Sequence, residues 1–169
     1  MKLMVEKLPD LQALYAKELR MLLSAEELIA SKSLFLMETA LDEDLRQVLN
    51  KHWQDSERQA ARLREMINRV SDEAGPIKCK TVYALFDEAE DLIGEAAHES
   101  IRNIALIAVT RRIKHYELAF YESVREFAMT LRRSDDVRLL EESFHEEIDT
   151  TQQLTQIADA LNATATRAA

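Results

Sequence analysis

The chain has 169 residues, 47% hydrophobic and 31% charged, with 2 Gly, 2 Pro and 1 Cys. That length makes one domain, residues 1–169, with room for a sizeable core, and so little Gly and Pro leaves scant material for strand connections. A net charge of -9 argues against a nucleic-acid partner or an anionic membrane surface, because phosphate contacts need clustered Lys and Arg.

Every predicted element is a helix. Pro9 suits the first turn of a helix over residues 9–38. The segment TALDED turns the chain, with Asp42 as N-cap of a second helix over residues 43–70. SDEAGPIKCK is the clearest break, since Gly75 and Pro76 stand together in it. A shorter helix covers residues 81–93 and ends near Gly94. A third long helix spans residues 99–131, and Ser134 or Asp135 caps a fourth that runs to about residue 161, leaving 162–169 as a frayed tail. Two tight hairpins joined by one long crossover is the connectivity of an antiparallel ferritin-like four-helix bundle, here all-α with a short extra helix in the crossover.

The lone Cys79 permits no internal disulfide and fits the reducing cytoplasm. MKLMVEKLPD has no apolar stretch long enough for a signal peptide, and the longest apolar run, residues 104–109, is too short to span a bilayer.

Each long helix carries a polar interruption in its apolar stripe. In the first, Glu26 sits among Leu19, Leu22, Leu23, Ile29 and Ala30. In the second, His52, Asp55, Ser56 and Gln59 interrupt a stripe running from Leu45 and Leu49 to Leu63, Met66 and Ile67. In the third, Glu117 lies between Ile113 and Phe120. In the fourth, Glu147 and Thr151 lie between Phe144 and Leu154. Folding each hairpin about its turn sets Glu26 opposite roughly residue 56 and Glu117 opposite roughly residue 151, at a rise of about 1.5 Å per residue. Both hairpins thus bring their polar residues to one depth.

Isolated carboxylates are too costly to bury without protons, partners or metal ions. Carboxylates from several helices suit two divalent cations, Fe or Mn, which take hard oxygen ligands. The competing reading makes them rim residues, solvated or paired with nearby Lys and Arg. Two Glu-x-x-His matches, Glu95 with His98 and Glu142 with His145, are set aside: the first lies in the crossover and the second points off the stripe. His115 projects away from Glu117, and His52 is the best-placed histidine, as a ligand or as a hydrogen-bond partner to one.

The chain resembles the YciF/YciE-like family of bacterial ferritin-like, stress-associated proteins. The resemblance rests on Ser24-Ala25-Glu26, on His52, Asp55, Ser56, Gln59, Arg62 and Leu63, on Cys79, and on Glu146-Glu147. Its most specific piece is His115-Tyr116-Glu117 with Ala119 and Tyr121, after Ala105-Leu106-Ile107-Ala108. The resemblance implies a four-helix bundle, a homodimer and a di-metal centre at Glu26, Asp55, Glu117 and Glu147, with Gln59, His52 or Thr151 completing it. This chain departs from the family where relatives have Glu at Asp55, and often an acid at Lys114 and near Thr151. Two functions follow. One is a di-metal oxidoreductase that oxidises Fe(II) with oxygen or peroxide, or breaks down peroxide. The other is a non-enzymatic dimeric helical stress or scaffold protein with a degenerate site.

Overall fold

The computed structural model describes residues 7–70 and 77–165. Within them the regular structure is helical throughout: α1 (Leu11–Thr39), α2 (Glu43–Val70), α3 (Lys80–Glu95), α4 (Glu99–Thr130) and α5 (Ser134–Ala165). None of these helices is long and apolar enough to cross a membrane.

The helix ends follow local chemistry. Pro9 stands outside α1, because the Asp10 carboxylate accepts the Ala13 N–H at 2.8 Å and makes Asp10 the cap. Asp42 caps α2 as expected, accepting the Leu45 N–H at 2.9 Å. At the α4–α5 turn, Arg133 N–H bonds Ala128 O at 2.9 Å and Arg132 N–H bonds Met129 O at 3.0 Å, with Arg132 at φ 56°. That is a Schellman closure made without glycine, so Ser134 is the first residue of α5 and not its cap. α5 also runs four residues past the expected end, through Ala163 and Ala165, which are strong helix formers. The Gly75-Pro76 break and the tail beyond residue 165 lie outside the described residues.

The four long helices pack in a closed circuit: α1 on α2, α2 on α5, α5 on α4 and α4 on α1, with α3 lying against α4 and α1. The Asn103 amide oxygen accepts the Leu41 N–H at 3.0 Å and pins the α1–α2 turn to the start of α4.

Two apolar clusters result. One gathers Ile29, Leu36, Leu45, Leu49, Phe86, Leu106, Ile113 and Leu154; the other gathers Tyr15, Leu19, Leu22, Leu63, Met66, Phe120, Val124 and Leu140. Each fully buried Leu among them stabilises the fold by about 2 kcal/mol. Along α1, α2, α4 and α5, buried polar residues lie between the clusters.

Candidate functional site

The polar layer is built from Glu26 of α1, His52, Asp55, Ser56 and Gln59 of α2, Lys114 and Glu117 of α4, and Glu147 and Thr150 of α5, all buried. Helical spacing puts them there. Glu26 follows Leu22 by one turn, and Lys114 precedes Glu117 by three residues, so each shares a face with the core residues around it.

Lys114 is the centre of the layer and has no solvent exposure. Its ammonium lies 2.9 Å from Glu117 Oε2 and donates a hydrogen bond to Glu147 Oε2. Glu147 Oε1 accepts from Gln59 Nε2 at 2.8 Å, and the same amide nitrogen reaches Glu146 Oε2 at 3.1 Å. Arg62 holds Glu146 at 2.7 Å, which carries the network out to the α2–α5 seam. On the other side, Tyr121 Oη donates to Glu26 Oε1 at 2.8 Å.

Burial sets the protonation. It pushes the Glu26 carboxyl up to about 8, with the Glu147 carboxylate adding to the shift. Burial also holds Glu117 well above the usual carboxylate range, again with Glu147 adding. For Lys114, burial works against the charge, but the carboxylates of Glu117, Glu147 and Glu26 outweigh it and hold the ammonium above the ordinary lysine value. Burial, then Lys114 and Lys51, keep His52 far below the usual histidine value and therefore neutral.

Several buried atoms have no hydrogen-bond partner among the described residues: Glu26 Oε2, both His52 ring nitrogens, Gln59 Oε1 and Glu117 Oε1. The carboxyl and amide oxygens, and one of the two nitrogens of the neutral His52 ring, offer lone pairs, which a metal site needs.

Two residues expected at the site face elsewhere. Asp55 is buried, but its carboxylate accepts from Lys51 at 2.6 Å and from Arg58, both on its own helix at i−4 and i+3, so its oxygens are already engaged. Thr151 is half-buried and donates back to Glu147 O at 2.8 Å; its neighbour Thr150 is the buried one. The Glu-x-x-His matches stay outside: Glu95 ends α3 while His98 precedes α4, and Glu142 and His145 are exposed. Lys114 was expected only as a departure from an acid of the family, not as the partner of Glu117 and Glu147, and Tyr121 was not expected in the site; both lie about a turn from Glu117, and that spacing was the available signal.

Two divalent ions do not fit these residues as they stand. With Lys114 they would bring five positive charges into a buried layer holding at most four negative ones, from Glu26, Asp55, Glu117 and Glu147, of which the Asp55 carboxylate is already taken by Lys51 and Arg58. Such an excess is prohibitive in a low-dielectric interior. Among the described residues, no three His, Cys, Asp or Glu side chains converge as a metal ion would require.

Residues 10–167 match the family described as a domain of unknown function, DUF892. Protein YciF of Escherichia coli strain K12 is 28% identical over 136 residues, 80% of this chain and 82% of YciF. The crystal structure of the E. coli stress protein YciF superposes with a TM-score of 0.87 at 25% identity, covering 92% of this chain and 98% of that one. YcfI of Rhodopseudomonas palustris, a candidate structural protein, superposes with a TM-score of 0.85 at 25% identity, covering 90% of this chain and 98% of its own. These matches bear out the YciF-like resemblance read from the sequence.

Proposed function

This chain belongs to the DUF892 family, and we propose that it is a non-enzymatic member: a single-domain ferritin-like four-helix bundle that serves a structural role under stress, with its inherited metal site closed. The observation that carries this reading is Lys114, fully buried and in contact with both Glu117 and Glu147. Its cationic side chain supplies inside the core the charge that a metal ion would supply. The stress role is carried over from E. coli YciF, which bears that description. A homodimer in the cytoplasm suits such a role. The exposed Leu41 in the α1–α2 turn and Ile101 near the start of α4 offer it an apolar surface.

The experiment is a pair of turnover assays on protein reconstituted with Fe(II) or Mn(II): oxygen consumption with excess Fe(II), and peroxide loss. The expected result is no rate above free metal, in unaltered protein and in Glu117→Ala alike. A rate that depends on Glu117 would overturn the reading in favour of the di-metal oxidoreductase. That second reading has one observation on its side, the unpartnered Glu26 Oε2, Glu117 Oε1 and His52 nitrogens in a single layer.

A further inference from the structure

Lys114 does more than block a site. Its ammonium joins carboxylates of two helices, Glu117 on its own α4 and Glu147 on α5, and the charge of Glu26 on α1 acts on it as well. Bridging acids from separate helices is what a divalent ion does in a carboxylate site. A lysine can do it from within because its stem is four methylenes long and its charge is a compact point with three donors. Here the stem runs through a buried layer, where a metal ion would need no covalent support.

The atoms around the ammonium point the same way. Glu117 Oε1, Glu26 Oε2 and the His52 nitrogens are buried and without hydrogen-bond partners among the described residues. Gln59 and Tyr121 orient Glu147 and Glu26 through one oxygen each. Glu117 and Glu147 in contact, with the charge of Glu26 acting beside them, form a cage for one cation, and Lys114 is the cation in it.

We propose that Lys114 is a tethered replacement for a metal ion: the folded chain neither needs nor takes up a divalent cation, and deleting the ammonium lets Glu117 and Glu147, the two carboxylates it contacts, and Glu26, which do not converge on one point while the ammonium is there, close on a single hard divalent ion. This rests on the structural reading above, but it can fail separately, because it concerns occupancy and not turnover.

The test uses Mn(II) alone as probe, on the full chain. Unaltered protein, desalted after incubation with Mn(II), should retain well under one Mn per chain, and neither Mn(II) nor EDTA should move its melting temperature. Lys114→Ala should melt lower than unaltered protein without metal. With Mn(II) at about 100 times its dissociation constant, it should regain roughly 5–10 °C and retain up to one Mn per chain. If the alanine variant does not fold even with Mn(II), Lys114→Gln, which keeps most of the volume without the charge, takes its place under the same criteria. Stoichiometric Mn in unaltered protein overturns the proposal, as does a folded Lys114 variant indifferent to Mn(II). Metal uptake without turnover would sink this inference and leave the structural reading standing; turnover would sink the structural reading.

Discussion

Two buried clusters of charge differ in how well they are answered. At one end of the molecule, Asp136 meets Tyr15 Oη at 2.9 Å, Arg69 at 2.6 Å and Arg133 at 2.6 Å. These donors come from α1, α2 and the α4–α5 turn, so one carboxylate ties three parts of the chain. Burial alone would raise its pKa, yet the hydrogen bonds from Arg133, Arg69 and Tyr15 win and hold it below the ordinary aspartate value. In the middle layer, three carboxyl groups share one ammonium, burial wins at Glu26 and Glu117, and several oxygens go unanswered. The first arrangement is what stability selects, and the second is a layer whose acids exceed what packing requires.

The largest effect should come from breaking the end cluster. Asp136→Ala leaves Tyr15 without its acceptor and Arg69 and Arg133 without their carboxylate. A loss of about 3 kcal/mol is expected from urea unfolding, against a much smaller change for Asp136→Asn, which keeps an acceptor oxygen. A loss below about 1 kcal/mol would mean that the cluster behaves as a surface ion pair and that the contrast with the middle layer is false.

Replacing Glu26 and Glu117 together with Gln should act in the opposite direction. Lys114 and Glu147 then remain as a one-to-one ion pair. A gain of about 2 kcal/mol is expected near neutral pH, or roughly 4–8 °C in melting temperature. The gain should depend on pH with a definite sign. Glu26 holds its proton up to about 8 when folded, against 4.5 for an ordinary glutamate in the unfolded chain. Between those values the unfolded chain releases a proton that the folded chain keeps, so the unaltered protein loses stability as pH rises through that window. The double variant should lack this slope. Asp136 works the other way: its contribution is complete above its unfolded value of about 4 and fades as pH falls further. Urea midpoints across pH 3 to 9 would separate the two, and a double variant less stable than the parent at pH 8 would contradict the picture.

The fold was legible because stripes and caps are local. The five helices lie within a few residues of expectation, and the misses have local causes: the Asp10 cap excludes Pro9, and Ala163 and Ala165 prolong α5. The depth of Glu26, Glu117, Glu147, His52 and Gln59 was legible too, since each breaks an apolar stripe. Their partners were not. Lys114 stood out only as a lysine where relatives often have an acid, yet it lies three residues before Glu117 on the same face and is fully buried. Asp55 was read by depth and by its match to a family acid, whereas the competing reading, pairing with nearby Lys and Arg, is what Lys51 at i−4 and Arg58 at i+3 do to its oxygens. Stripe position tells how deep a side chain sits and leaves open which neighbour it turns towards.

The smallest expected effect marks where the middle layer ends. Thr151 and Thr150 differ by about 100° around α5, and only Thr150 is buried. The Thr151 hydroxyl is spent on Glu147 O of its own helix, a back-bond that adds little to helix stability, while alanine is the better helix former by a few tenths of a kcal/mol. Thr151→Ala should therefore stay within about 0.5 kcal/mol of the parent and leave Mn uptake by Lys114→Ala unchanged. A loss of more than about 1 kcal/mol, or an altered Mn affinity in that background, would place Thr151 in the layer beside Glu147. The cage around Lys114 would then have a fourth wall, and the charge count that argues against two metal ions would have to be made again with a hydroxyl ligand included.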